Sequence, residues 1–362
     1  MKRILVVGAN YLYYTKAYIE GIKKSDNDIH VDVVYIDCFS RNNLDIKEYI
    51  KYKLNKKRYI KNYYSNIINK IKCLVAKNRY DEFYSISANI YYECIDTNLL
   101  KQLKAMGAKR KAIYIDTVKR FRENEQHLDL FDKVFSLESR DINYMKSKNI
   151  NNTFYMPVGA SDVIYSSKKY VEEKINDICF VGGYSEYRAE LCEKIAMFCI
   201  NNNIKFVVYG PYWENSKIFG AFLTSRQETR FSKRYPNLYK CIVNRTLTGE
   251  EVANLYKRSK ICLNIHIPVH LGLNARVFEI SASPNFQLCD TREDFSKLGF
   301  KDGENIVVYK DADDCIDKIK YYLSKDDLRR NIAKKGNQLV LSKYTMSKLM
   351  AKTLDDNYRG EF

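Results

Sequence analysis

The chain has 362 residues, room for two ordinary domains that each bury a core, and its 46% hydrophobic share excludes a disordered chain. No apolar run of about 18 residues exists to cross a membrane as a helix. The formal charge of +17 points to anionic partners, whether nucleic acid, lipid headgroups or phosphorylated small molecules, without choosing among them.

The N-terminal "MKRILVVGAN" begins like a signal peptide, but its apolar part is short and reads better as a first strand. Apolar β-branched runs then alternate with helical patterns along the whole chain. Strands are expected at Ile4–Val7, Val31–Ile36, Glu82–Ser87, Ala112–Asp116, Lys133–Leu137 and Thr153–Met156. Six more follow at Ile178–Val181, Phe206–Tyr209, Cys241–Asn244, Ile261–His266, Phe286–Cys289 and Ile306–Tyr309. Continuous apolar strands separated by helices imply parallel sheets covered on both faces, here two Rossmann-like α/β domains. The seam is expected in the Pro/Gly/Ser-containing stretch 157–174. This divides the chain into 1–170, 171–344 and a closing helix, Thr345 to about Tyr358, that reaches back to the first domain. Asp326 is the expected N-cap of the helix before it, with Gly336 interrupting that helix near its end. Ten cysteines lack any C-x-x-C spacing, and Cys179, Cys262 and Cys289 sit in apolar runs, as reduced core residues of a cytoplasmic protein would.

Open parallel sheets collect ligands at the carboxyl ends of their strands, so the site is expected in a cleft between the two sheets. Gly8–Asn10 and Gly182–Gly183 each follow a first strand, where backbone turns close to a ligand. Neither is a G-x-G-x-x-G, which argues against a nicotinamide dehydrogenase. Arg276 and Glu279 stand three apart at the opening of a helix. Taken alone they form an ordinary i,i+3 pair worth a few tenths of a kcal/mol. His266 and His270 flank Pro268 and follow a strand, so they form no zinc helix. Trp213 in "YGPYWENS" either packs near a base or braces a loop. Thr248 and Glu251 read as a capping box, on a helix that Lys260 ends. Residues 47–80 are rich in lysine and tyrosine, with Ile60, Tyr64, Ile67, Ile71 and Leu74 on one helical face. That face packs on the N-terminal sheet or rests on anionic lipid; nucleic acid is the least favoured partner.

Four segments, "DICFVGGYSEYRAELCEKI", "NLYKRSKICLNIH", "GLNARVFEISASPNFQLCD" and "NIVVYKDADDCIDKIKYYLSKDDLRRNIAKKG", occur in that order. Together they resemble the C-terminal half of the spore-maturation-protein-type glycosyltransferases, relatives of the large retaining family four with the GT-B fold. "KRKAIYIDTVKR" and "LFDKVFSLESRDINYM" resemble the acceptor-side domain of that family more loosely.

The resemblance implies two facing Rossmann-like domains with a C-terminal helix crossing back; the expected location is the cytoplasm, from the cysteines, with peripheral contact to the inner face of the membrane as the lipid reading of 47–80. It implies no cofactor; the co-substrate is a nucleotide diphosphate sugar, first expected to be of UDP type. The acceptor is a surface glycan, a lipid-linked precursor or a protein, with no nucleic acid involved. Retaining transfer is expected, and metal-independent transfer on the reading that no D-x-D motif is present for a cation to bridge the diphosphate. Glu279 falls where the family's glutamate binds the ribose hydroxyls, a task that suits a carboxylate. The helix opening at Asn274 and Ala275, behind Gly272, offers its N–H groups and dipole to the diphosphate, with Arg276 beside it. Arg188 stands where family four carries a phosphate-binding lysine and would stabilise the leaving charge. His266 and Asn264 at a strand end, and Asp116 on the acceptor side, complete the expected catalytic surroundings; His127 reads mainly as a surface-loop residue. Thr246 and Leu247 lie where family-four backbones approach the base. Three departures bear on the sugar and the anomeric outcome: Leu271 in place of a second glutamate, Gly183 in place of an arginine, and Pro284 in place of a glycine.

Overall fold

The alternation of apolar strands and helical stretches builds two compact units. The computed structural model describes residues 1–10, 13–37, 44–87, 94–115, 117–118, 128–165, 170–213, 230–243, 245–268 and 272–358. One unit comprises Met1–Pro157 and the C-terminal residues from Met346; the other comprises Val158–Thr345.

The first unit holds six parallel strands: β1 (Lys2–Ala9), β2 (Ile29–Ile36), β3 (Glu82–Ile86), β4 (Lys109–Tyr114), β5 (Lys133–Ser136) and β6 (Thr153–Tyr155). Their order is β2-β1-β3-β4-β5-β6, so the chain reverses direction across the sheet between β1 and β3. Between these strands, among the described residues, lie α1 (Tyr14–Ser25), α2 (Ile46–Leu54), α3 (Lys56–Lys77), α4 (Thr97–Ala105) and α5 (Ser139–Ser147). The stripe read from 47–80 belongs to α3 and packs on the sheet. Tyr64 and Ile71 are buried with Leu5, Val7 and Phe83, while Ile60, Ile67 and Leu74 pack against the same core. Each such burial is worth about 1.5–3 kcal/mol, so this face is committed to its own domain.

The closing helix spans Met346–Leu354 in the described structure and belongs to the first unit. It lies so close to α1 that a Cβ on Gly21 would stand 2.9 Å from the Met346 carbonyl oxygen. Its C-terminal end is capped by lysines from the amino ends of the strands. Lys111 Nζ donates to the Thr353 carbonyl at 2.7 Å, and Lys133 Nζ donates to the carbonyls of Asp355, Asp356 and Tyr358 at 3.0, 2.8 and 2.9 Å. Cations there satisfy orphan carbonyls and oppose the negative end of the helix dipole.

The second unit holds β7 (Asn176–Val181), β8 (Phe206–Tyr209), β9 (Ser259–Asn264), β10 (Gln287–Asp290) and β11 (Val307–Tyr309). All are parallel, in the order β11-β10-β9-β7-β8, which places the switch of direction between β7 and β9. Around them lie α6 (Glu186–Asn201), α7 (Pro236–Cys241), α8 (Gly249–Lys257), α9 (Ala275–Ala282), α10 (Asp294–Lys297), α11 (Ala312–Leu323) and α12 (Asp326–Lys343).

Several local expectations need correction. Of the expected strand Cys241–Asn244, the described residues 241–243 form no strand: Pro236 starts a helix that buries Leu238 and runs through Cys241, leaving Ile242 only an isolated bridge to Val208, and Asn244 lies outside the described residues. Asp326 is the first residue of α12, whose N-cap is Lys325 without a side-chain cap. Gly336 does not end that helix. It sits buried within it, where a Cβ would meet the Asn305 carbonyl oxygen at 2.6 Å, so the residue serves a close approach. The Thr248–Glu251 capping box is present, but Lys260 lies in β9, paired with Asp177 at 2.8 Å. The nine described cysteines are free and all but Cys73 are buried; Cys179 and Cys262 approach to 3.7 Å across β7 and β9. No described helix is long and apolar enough to cross a membrane.

Candidate functional site

In the second unit the chain leaves β7 through Gly182 and Gly183 and enters α6 at Ser185, whose hydroxyl caps the helix by accepting the Arg188 N–H at 3.3 Å. One turn in, the Arg188 side chain folds back to the strand ends. Its Nε and Nη2 donate to the Ile265 carbonyl at 3.0 and 2.7 Å, and Nη1 donates to the Gly183 carbonyl at 3.0 Å. Three of its five N–H groups thus tie the loop after β7 to the end of β9, across the switch point. Burial brings the guanidinium down to about 10, which still leaves it charged at neutral pH. Trp213 braces the same loop: its Nε1 donates to the Gly182 carbonyl at 2.8 Å, and its ring meets Phe180 and Tyr184 edge-on at 6.1 and 5.9 Å. Gly210, at φ +145°, makes room for this, because a Cβ there would stand 2.1 Å from the Gly182 oxygen.

The ends of β9 and β10 build a second layer. His266 is buried, with Nδ1 2.7 Å from Asp290 Oδ1, while its Nε2 accepts the Asn274 N–H at 3.0 Å. The second bond requires an unprotonated Nε2, so Nδ1 carries the hydrogen and donates to Asp290. Burial holds the imidazole below its ordinary 6.5, and the bonds to His266 help hold Asp290 below the usual carboxylate value. Arg292 bonds the other Asp290 oxygen. Asn264 and Asn274 exchange side-chain amide bonds at 3.0 and 2.9 Å, and Asn274 Oδ1 also accepts the Val277 N–H at 3.3 Å as the N-cap of α9. The expectation that His266 reaches a reacting group is corrected: both ring nitrogens are engaged inside the unit, and the residue orients the start of α9.

Arg276 and Glu279 follow on that helix and form the i,i+3 ion pair that their spacing allows. Glu279 is fully buried while Arg276 remains partly exposed. Burial pushes the Glu279 carboxyl up to about 8. The adjoining Arg276 guanidinium acts in the opposite sense and favours the carboxylate. Gly272 is buried just before the helix, and Ala275 is its first, buried residue. Arg188, Asn264, His266, Asn274, Arg276 and Glu279 therefore belong to one polar assembly at the carboxyl end of the β7/β9 switch point.

Other expected residues lie elsewhere. Thr246 is exposed in the loop before α8, and Leu247 lines a cavity of about 400 Å³ with Tyr209, Arg245 and Asn254. Gly8 is a buried residue of β1 in the first unit, paired with Tyr35 and Ile86; Asn10 just beyond is exposed, its Nδ2 donating to Asp37 at 2.7 Å. Asp116, His127, His270 and Leu271 lie outside the described residues. Asp290 was not among the expected residues, although it ends an apolar strand, the position that singled out Asp116. A further acid, Asp141, is buried in the first unit. It accepts from the Ser136 and Thr117 hydroxyls at 2.6 and 2.9 Å and the Val118 N–H at 2.8 Å, and burial raises its pKa.

His266, Cys289 and Asp290 bring possible metal-donor atoms within 4.8 Å of one another. The imidazole nitrogens there already serve Asp290 and Asn274, so the arrangement reads as a hydrogen-bonded support. Two D-x-D triplets occur, Asp26–Asp28 and Asp311–Asp313. Each shapes its own backbone: Asp26 accepts the Asp28 N–H at 2.9 Å, and Asp311 caps α11 by accepting from Asp313 and Asp314 at 3.0 Å each. Metal independence therefore cannot be argued from a lack of that motif.

Residues 188–355 match the family model described as glycosyl transferase-like. No curated protein matches the sequence. Among solved structures, sucrose-phosphate synthase from Thermosynechococcus elongatus is similar over 98% of this chain and 97% of its own, at 12% identity and a TM-score of 0.63. Anabaena Alr3699/HepE, solved in complex with UDP and glucose, is similar over 98% of each chain at 10% identity and a TM-score of 0.62. S. aureus TarM, solved with UDP among its ligands, is similar over 75% of this chain and 54% of its own, at 14% identity and a TM-score of 0.56. These likenesses establish two parallel-sheet Rossmann-like domains of the GT-B kind. The chain thus has a GT-B fold, and its residues 188–355 are similar to the glycosyl transferase-like family.

Proposed function

We propose that the second unit binds a nucleotide diphosphate sugar, of UDP type, and that the protein transfers the sugar to a hydroxyl of a surface-glycan, lipid-linked or protein acceptor. The reading extends to a retaining, metal-independent reaction of the spore-maturation-protein type. The observation that carries it is the buried Glu279 beside Arg276, on a helix whose N-terminus is held in place by Asn264, His266 and Asp290 at the β7/β9 switch point. A helix end of this kind suits a diphosphate, and a carboxylate suits two vicinal ribose hydroxyls. The UDP complexes of the Anabaena protein and of TarM support the choice of base.

The chemistry divides among residues as follows. The first turn of α9 and Arg276 take the diphosphate, and Glu279 takes the ribose. The two remaining N–H groups of Arg188 face the charge that develops as the glycosidic bond breaks. His266 positions Asn274 and does not touch the sugar. Asp116 is the proposed carboxylate toward the acceptor hydroxyl.

A second reading, a catalytically silent nucleotide-sugar-binding protein, draws on Arg188, most of whose donors already serve backbone carbonyls, and on Pro284 and Gly183 in place of the family residues. Calorimetry with UDP-, GDP-, ADP-, dTDP- and CDP-sugars, followed by hydrolysis and transfer assays with and without a chelator, separates the two. Saturable binding with turnover supports the enzyme, and binding without turnover across acceptors supports the silent protein. If no nucleotide sugar binds, the site assignment is wrong.

A further inference from the structure

The two basic helices of the first unit differ in one respect: α3 buries its apolar face, and α2 buries no residue at all. Asp45 caps α2, and its inner side leans on α3 through a bond from the Tyr59 hydroxyl to Glu48 at 2.8 Å and an edge-on contact of Tyr52 with Tyr59 at 5.9 Å. Ile46, Ile50 and Leu54, at i, i+4 and i+8, run along another face of the helix and are 82%, 54% and 82% exposed. Tyr49 borders the stripe, with Lys53 Nζ 5.7 Å above its ring. Lys47, Lys53, Lys56, Lys57, Arg58 and Lys61 surround it and are all exposed. Of the two acids in residues 44–61, Asp45 serves as the cap and Glu48 is paired with Lys51.

We propose that α2, with the first turn of α3, is an in-plane anchor that docks the first unit on an anionic lipid surface. The aliphatic stripe enters the headgroup–acyl boundary while the lysines and Arg58 pair with lipid phosphates. Three aliphatic side chains left more than half in water call for an apolar partner, and the flanking charge selects an anionic one. A nucleic-acid strand would use the charge and leave the aliphatic stripe in water, so the combination favours lipid. The long stripe first read across 60–74 is not the anchor, because it is packed in the core. This inference stands apart from the donor site and does not depend on it.

The test is flotation of the full chain with vesicles of phosphatidylcholine alone or mixed equally with phosphatidylglycerol. Binding is expected to the mixed vesicles only. It should fall at least about tenfold in the triple variant Ile46→Ser, Ile50→Ser, Leu54→Ser, which removes the stripe and keeps every charge. Ile50→Trp should show a blue-shifted emission with mixed vesicles, while the buried Trp213 contributes a constant background. The proposal is overturned by absence of vesicle binding, by full binding in the triple-serine variant, or by an Ile50→Trp emission that vesicles leave unchanged. Displacement from mixed vesicles by an oligonucleotide at equal phosphate, with the triple variant binding that oligonucleotide as tightly, would instead assign the helix to nucleic acid.

Discussion

The carboxyl ends of the two sheets use polar residues in different ways. In the second unit, cationic and amide groups converge at the β7/β9 switch point: Arg188, Arg276, the Asn264–Asn274 pair and the capped start of α9. In the first unit the described polar cluster centres on an acid, Asp141, which draws in two hydroxyls and an amide. Nearby, Ser87 holds φ +49° at the end of β3 and its hydroxyl accepts the Ile115 N–H at 3.4 Å. The same architecture thus gathers cations and amides at the switch point of one sheet, and in the other holds a carboxylate with hydroxyls beyond the ends of β4 and β5.

The sharpest way to break this comparison is Arg188→Ala. It leaves the Ile265 and Gly183 carbonyls without their donor, at about 1–3 kcal/mol for each group left unsatisfied. The second unit should lose about 2–4 kcal/mol in urea unfolding, and turnover should fall more steeply than donor binding. An unchanged midpoint would mean the bracing is dispensable. Next in size, Glu279→Gln should weaken nucleotide-sugar affinity about tenfold in calorimetry through loss of charge-assisted bonds to the ribose. Equal affinity would remove the ribose role. Asp141→Asn should lower transfer several-fold while leaving donor affinity within about twofold; a matching loss of donor binding would erase the distinction between the two units.

The smallest effect concerns His266. Its folded pKa lies below 6.5, so below that pH the unfolded chain takes up a proton that the folded unit resists. Stability should be fully present above pH 6.5 and decline as pH falls through the window beneath it. His266→Gln should flatten that part of the profile, and an identical slope in the variant would assign the pH dependence to other groups. Asp290, also held low, contributes its own loss only at more acidic pH.

Much of the fold was legible from local pattern. Eleven of the twelve expected strands fall on observed ones, because a strand buried on both faces is written as a continuous apolar run. The exception, Cys241–Asn244, is equally apolar. There Pro236 and the packing of Leu238 carry a helix through Cys241, and Ile242 keeps only a single bridge to Val208. The site was legible through the spacing of Arg276 and Glu279 and the turn at Gly182–Gly183. It was not legible in Asp290, in the indole of Trp213 reaching the Gly182 carbonyl, or in the fate of His266, all of which depend on partners 24 or more positions away or on the folded loop.

The sequence by itself determined most of the strands and the caps at Thr248 and Asn274, since period, β-branching and capping chemistry act over a few neighbours. Only the tertiary structure decided which apolar helix face is covered and which lies open, and which polar side chains are already satisfied. Packing and hydrogen-bond partnership are set by residues that meet in space, and α2 and α3 carry nearly the same composition to opposite ends.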